Sequence, residues 1–202
     1  MLTFGIDISH HKGEVPWTVY QSAGVEFVIL KVTEGLNFTD PLAAYNINQA
    51  RLTGIPWSGF HFYREVDWVK QIDLYQTRAA HVMPLFPAID FEIWASDRLR
   101  VIHDLARIGS ALQTIYRSPV LFYSSANYMS QFARYDLAPL SFMIPWVADW
   151  TGHIPRQMPP WVGWKIHQTT NRGVMPGIKG AFDLDTLNGP LADITRKEVL
   201  PF

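Results

Sequence analysis

Across the first 125 residues, short and nearly continuous apolar runs alternate with segments of helical spacing. Thr3 to Ser9 reads as a strand that ends with Asp7 and Ser9 on one face, followed by a loop at His10 to Gly13. A short helix is expected over Trp17 to Ala23, then a strand over Phe27 to Thr33. Asp40-Pro41 opens a helix that runs through Leu52, with Asp40 as N-cap and Pro41 in the first helical position, and Gly54 ends it. Ser58 to Arg64 is the third strand, Trp68 to His81 the next helix and Pro84 to Trp94 the fourth strand. Ser96 caps a long helix through Tyr116, whose apolar stripe is Leu99, Ile102, Leu105, Ile108, Leu112 and Ile115. Val120 to Ser124 is the fifth strand, with a short helix near Ala126 to Arg134.

Beyond this the rhythm changes. Phe142 to Trp150 is strand-like, but Thr151 to Pro160 is rich in proline and unsuited to a helix. Gly163 to Thr170 and Ala181 to Leu187 are two more strands, separated by a glycine-containing turn at Asn171 to Gly180. Such spacing leaves no room for helical crossovers, so the last strands should be antiparallel or hairpin-linked. Alternating strands and helices imply a parallel sheet with helices outside. The expected fold is therefore α/β: a modified TIM-like (β/α) barrel of about eight strands. Helices are missing from its C-terminal part, its last strands are antiparallel, and residues 1–202 form one domain. No internal repeat, low-complexity segment or linker interrupts it.

Composition narrows the function. With 48% hydrophobic and 17% charged residues the chain is not disordered, and a net charge of −1 argues against a nucleic-acid binder. Cysteine is absent, which excludes disulfides, thiolate metal sites and cysteine nucleophiles. No apolar stretch is long enough to cross a membrane. The first residues, Met-Leu-Thr-Phe-Gly-Ile-Asp, lack the basic head and apolar core of a signal peptide. The expectation is a protein whose signal has been removed, or one made in the cytoplasm and released.

The candidate chemistry is acidic. In P-L-F-P-A-I-D-F-E-I-W (84–94), Asp90 and Glu92 stand at i and i+2, on one face of an otherwise apolar strand. Alone, that pair reads as a strand end whose acids meet surface Arg or Lys. Barrel active sites, however, lie at the C-terminal ends of the strands. Acids recur there in apolar settings: Asp7 in G-I-D-I-S, and Asp183 and Asp185 in A-F-D-L-D. If the first and last strands are neighbours, Asp7 and Asp183 are close in space. Several carboxyl groups converging on one mouth point to acid–base chemistry. Around them stand groups suited to contacting sugars: His61, Tyr63, Tyr123, Trp146, Trp150 and Gln168. A nucleophile elbow, a phosphate-binding glycine loop and the H-E-x-x-H motif are all missing, so neither metal nor cofactor is proposed.

Taken together, G-I-D-I-S-H-H-K-G (5–13), G-V-E-F-V-I-L-K-V-T-E-G (24–35), G-F-H-F-Y-R (59–64), P-A-I-D-F-E (87–92), P-W-V-A-D-W (145–150) and G-V-M-P-G-I-K-G-A-F-D-L-D-T-L-N-G (173–189) resemble the glycoside hydrolase family 25 lysozymes. The resemblance spans nearly the whole chain. It implies hydrolysis of the β-1,4 bond between N-acetylmuramic acid and N-acetylglucosamine in bacterial peptidoglycan, by a monomer acting on the cell wall. Carried over residue by residue, the family's acids fall on Asp7, Asp90, Glu92 and Asp183. Glu92 would be the general acid/base, its pKa raised by the charge of Asp90, while Asp7 and Asp183 would bind substrate, position Asp90 or stabilise positive charge. The family's sugar-lining tyrosines or their equivalents fall on Tyr63, Tyr123 and Trp150, and with His61, Gln168 and Asp185 these are the residues expected to meet the substrate. The resemblance leaves open whether a carboxylate or the substrate's own acetamido oxygen meets the cationic centre. Lys12 stands where the family commonly has Gln, Asp185 where it has Asn, and Trp150 where Tyr is usual. His167 and Thr169 replace an aromatic pair flanking Gln168. Two alternatives are a non-catalytic cell-wall-binding barrel and, less well supported because Ala88 lacks the further Asp of that motif, a chitinase-like enzyme.

Overall fold

Eight strands curl into a closed barrel because each apolar run has an inner and an outer face to bury. The computed structural model describes residues 1–79 and 85–195. Its strands are β1 (Leu2–Ile8), β2 (Phe27–Glu34), β3 (Phe38–Thr39), β4 (Trp57–Phe62), β5 (Pro87–Asp90), β6 (Leu121–Ser125), β7 (Ile144–Ala148), β8 (Ile166–Gly173) and β9 (Phe182–Asn188). The helices are α1 (Trp17–Ser22), α2 (Ala43–Thr53), α3 (Trp68–Ala79), α4 (Arg98–Tyr116) and α5 (Ala126–Met129). The order β1-β9-β8-β7-β6-β5-β4-β2 is closed by parallel pairing of β1 with β2, and β3 is a short antiparallel appendage on β2. Every barrel pairing is parallel except those of β9, which runs antiparallel to both β8 and β1.

Phe27, Ile29, Phe60, Ala88, Leu121, Trp146, Ile166 and Leu187 fill the barrel itself. Outside it, α1 and α2 cover β1 and β2 through Trp17, Tyr20, Ile47 and Ala50. α3 and α4 cover the middle strands through Ile72, Tyr75, Val101, Leu105, Ile108 and Leu112. These two layers explain why the strand sequences read as unbroken apolar runs.

The connection from β7 to β8 has no helix, yet the outer face there is not bare. Met158, Trp161 and Trp164 of this proline-rich segment join the cluster that α3 and α4 build, and Trp161 lies 5.2 Å from the ring of Phe122. Its indole donates to Met143 O at 2.7 Å, and Asp149 secures the start of the segment by accepting from Thr151 N and Arg156 N. Large aromatic side chains thus do the covering that a crossover helix does elsewhere.

Several expectations are corrected in detail. β8 and β9 are antiparallel as expected, whereas β7 and β8 are parallel, joined by an irregular crossover over the 17 residues 149–165. Asp97, not Ser96, caps α4 by accepting from Arg100 N, and Ser96 instead donates to Glu65. Asp40 caps no helix: α2 begins at Ala43, and the Asp40 carboxylate accepts from Leu42 N and from both His10 N and His10 Nδ1. β5 ends at Asp90, so Glu92 lies just beyond the strand. The expected helix end at His81 and strand start at Pro84 fall outside the described residues.

Space inside the barrel is tight where β1 meets β2. Gly5 is paired with Phe27, and a Cβ on Gly5 would stand 2.3 to 2.5 Å from the Phe27 ring. Gly5→Ala should therefore lower stability by about 1–3 kcal/mol through overpacking, and Phe27→Leu in the same chain should recover part of that loss. Urea unfolding of the single and double variants checks this; strictly additive losses would show that the two positions do not compete for space.

Candidate active site

The C-terminal ends of the barrel strands surround a cleft of about 330 Å³. Asp7, Asp90, Glu92 and Asp183 line it together with Lys31, Phe62, Tyr123, Trp146, Trp150 and Gln168. Register explains the convergence. Asp7 on β1 is paired with Asp183 on the reversed strand β9, and Phe62, Asp90, Tyr123 and Trp146 form one layer across β4 to β7. Asp185 lies one step deeper on β9, opposite Gly5 and Gln168, and is fully buried.

Gln168 ties one side of the cleft together. Its Nε2 donates to Asp7 Oδ2 at 2.6 Å, while its Oε1 accepts from Tyr123 OH at 2.8 Å and from Trp150 Nε1 at 3.0 Å. The amide is thereby fixed in one orientation, with its donor aimed at a carboxylate. Behind it, Trp146 Nε1 donates to Asp185 Oδ1 at 2.8 Å.

Asp90 and Glu92 occupy the opposite side in unequal settings. Asp90 is buried, and among the described residues no donor reaches its Oδ1; Glu92 is half-buried and faces the cleft. The backbone that carries Glu92 is pinned although the strand has ended. Phe91 N donates to Tyr123 O at 2.9 Å and Ser124 Oγ to Phe91 O at 2.7 Å. The Gln131 amide donates to Ile93 O and accepts from Ala95 N.

Two lysines supply the positive charge. Lys31 extends from β2 into the cleft and meets Glu34 at 2.5 Å and the Phe62 ring at 4.9 Å. Lys12 lies 3.4 Å from Asp183. A bulge between Lys31 and Thr33 puts Glu34 opposite Phe62 on the inner face, where strict alternation from Lys31 would have turned it outward.

Crowded, partly desolvated acids hold their protons. Burial pushes Asp7 up to about 7, with the Asp183 charge adding to the rise and the Gln168 hydrogen bond opposing it. Burial, and then the charge of Glu92, raises Asp90 well above the usual carboxylate range. Glu92 is raised by burial and then by Asp183, against Lys31. The repulsion between Asp90 and Glu92 is felt at Asp90, the more deeply buried of the two.

The structure brings Asp7, Asp90, Glu92, Asp183, Tyr123, Trp150 and Gln168 to one cleft. It does not bring His61 or Tyr63 there. Because β4 turns Phe60 and Phe62 inward, His61 points outward, bonded to Thr33 and to Gln71 of α3; Tyr63 is fully buried in the outer cluster near Asp104. Asp185 is likewise out of reach of a substrate, sealed under Asp7. Lys31 and Phe62 escaped the sequence reading. A lysine in the middle of an otherwise apolar strand, F-V-I-L-K-V-T, was the available signal for the first. Among the described residues, no group of three His, Asp or Glu side chains is arranged to hold a metal ion.

Residues 6–178 match the family model for glycosyl hydrolases family 25. The chain is 25% identical over 207 residues to Lysozyme M1 of Streptomyces globisporus, an overlap of 93% of this chain and 68% of that protein. Among solved structures it is similar to a family 25 glycosyl hydrolase from Bacillus anthracis, with a TM-score of 0.83 at 20% identity, covering 95% of this chain and 91% of the other. It also resembles the bacterial lysozyme from Streptomyces coelicolor, with a TM-score of 0.81 at 24% identity, covering 95% and 94%. At these identities the structural likeness speaks for the fold.

The raised Asp7 carries a stability signature. Its folded pKa of about 7 lies above the ordinary value of 3.8, so ionisation opposes folding increasingly as pH rises through that window. The Tm difference between Asp7→Asn and the unmodified chain should therefore be more positive at pH 8 than at pH 5. A difference independent of pH would mean that Asp7 titrates normally.

Proposed function

The chain belongs to glycosyl hydrolases family 25, and from that premise we propose that this glycoside hydrolase is a lysozyme. Its proposed reaction is hydrolysis of the β-1,4 bond between N-acetylmuramic acid and N-acetylglucosamine in bacterial peptidoglycan. The observation that carries the reading is the unequal acid set: one half-buried glutamate facing an open cleft, backed by three aspartates and held by a pinned backbone.

Glu92 is the general acid. It is raised by its surroundings and so keeps a proton, and its exposure on the cleft side lets it deliver that proton to the glycosidic oxygen. As the leaving sugar departs, positive charge builds on the ring carbon, and Asp7 and Asp183 are the acids set to stabilise it. Gln168 and Lys12 favour the ionised forms of these two against the burial that raises both, one through a hydrogen bond and the other through its charge. Glu92, now ionised, takes a proton from the attacking water in the second half of the reaction. Asp90 is neutral in this scheme and orients the reacting sugar.

Phe62, Tyr123 and Trp150 give the cleft aromatic surfaces of the kind that pack against sugar faces. Trp150 is half exposed, at 51%, which suits a ring that waits for a ligand. One chain supplies every group invoked, so a monomer working on the glycan strands of the cell wall is sufficient. Among the described residues no helix is long and apolar enough to cross a membrane.

Glu92→Gln keeps the shape of the side chain and removes the proton, so lysis of purified cell walls should fall by about 10² to 10⁴-fold with folding intact. Near-normal turbidity loss would sink the assignment. The pH–rate profile separates the helpers. Removing the Asp183 charge lowers the pKa of Glu92, and Asp183→Asn should move the basic limb of kcat/KM toward acid. Asp90→Asn removes a group that is already neutral and should leave that limb nearly in place while reducing the rate. Equal shifts in the two variants would show that both acids are charged in the free enzyme.

A further inference from the structure

Asp185 is the one acid of this cluster that cannot meet a substrate. It is fully buried, one step below the Asp7–Asp183 pair on β9 and opposite Gly5 and Gln168. Its Oδ1 accepts from Trp146 Nε1 at 2.8 Å. Among the described residues no donor reaches its Oδ2, although that atom is sealed from solvent. A buried carboxylate oxygen with no donor is costly. Register places Asp7, a second carboxyl group, diagonally across the β1–β9 pair from it on the same face. Two ionised carboxylates cannot bond to each other, because neither has a hydrogen to give.

We propose that Asp185 is a positioning residue that retains its proton and donates it, through Oδ2, in a hydrogen bond to the ionised Asp7. The two groups thus share one proton and one negative charge. The side on which the proton rests follows from their partners. Asp7 borders the cleft and receives the Gln168 amide at 2.6 Å, so the anion is better solvated there. Asp185 has a single neutral donor and no contact with water.

Among the described residues no basic side chain is bonded to Asp185. The titratable groups facing Asp185 are Asp7 from β1, Asp183 from its own strand and the Tyr123 phenol from β6, none of them basic. The lysines of the cleft are engaged elsewhere, Lys12 with Asp183 and Lys31 with Glu34. A proton on Asp185 therefore does what a cation would do: it lets Asp7 carry charge inside the barrel mouth and holds it beside Asp183. Burial acts in the same direction, raising Asp185 well above the usual carboxylate range.

This inference rests on the reading of Asp7 as a working acid of the cleft, and its test has one arm that needs no turnover. Infrared difference spectra of the full chain against Asp185→Asn, at neutral pH, should show loss of a carbonyl stretch from a protonated, non-exchanging carboxylic acid. Absence of that band would overturn the proposal, whatever the substrate proves to be. The kinetic arm compares acid limbs of kcat/KM on a soluble glycan. Asp185→Asn keeps an N–H donor at the position and should hold the limb where it is in the unmodified chain. Asp185→Leu removes the donor and should move it upward by about one pH unit or more, since a hydrogen bond to a charged group is worth that much. A limb that stays put in a folded Asp185→Leu, or that moves equally in both variants, would refute the donor role.

Discussion

Closing this barrel forces its last strand to run backwards. After β8 the chain has only residues 174–181 before β9 begins, too few for a crossover, and yet β1 must be paired on its free side. Inserting β9 antiparallel between β8 and β1 solves both problems, because an antiparallel strand needs only a turn. The consequence is chemical. Reversal brings the N-terminal end of β9 to the same rim as the C-terminal ends of the other strands, so Asp183 meets Asp7 there and Asp185 sits beneath them. Acids from both ends of the chain thus share one desolvated site.

That crowding sets the electrostatics of the whole cleft. Five carboxyl groups with two lysines cannot all ionise in a partly dry space, and the burial of each decides the order in which protons are held. Burial raises Asp185 and Asp90, the deepest, well above the usual carboxylate range. Asp183, beside Lys12, and Asp7, beside Gln168, are best placed to be anions. Glu92, intermediate in burial, is free to change state during a reaction. The division of labour is therefore a consequence of depth and of neighbours, since at the level of residue type these groups are nearly the same.

The periphery shows a parallel economy. Where crossover helices are missing, Met158, Trp161 and Trp164 cover the outer face of β6 and β7. The backbone after β5, which has left the sheet, is held by the Ser124 hydroxyl and the Gln131 amide. Side chains substitute for regular structure at the two places where the pattern of strand and helix breaks down.

Much of this was legible in the chain itself. Unbroken apolar strands with helical segments between them specify a parallel sheet covered on its outside, because only a strand buried on both faces tolerates such a run. Short connections near the end specify antiparallel pairing for the same steric reason that they forbid helices. Asp7, Asp90, Glu92 and Asp183 stand out as charges in apolar surroundings, where any carboxyl needs an explanation. What the sequence could not decide is which way individual side chains face once strands bulge, tilt and end. Side-chain type pointed to His61 and Tyr63 as cleft groups, whereas β4 presents Phe60 and Phe62 inward. Lys31 enters the cleft, and a bulge in the same strand turns Glu34 inward beside it. Depth, too, belongs to the tertiary structure. D-L-D reads as two equivalent acids, but one reaches the cleft and the other is sealed under Asp7, because the register between β9 and β1 is set by packing across the whole barrel and not by the residues on either side.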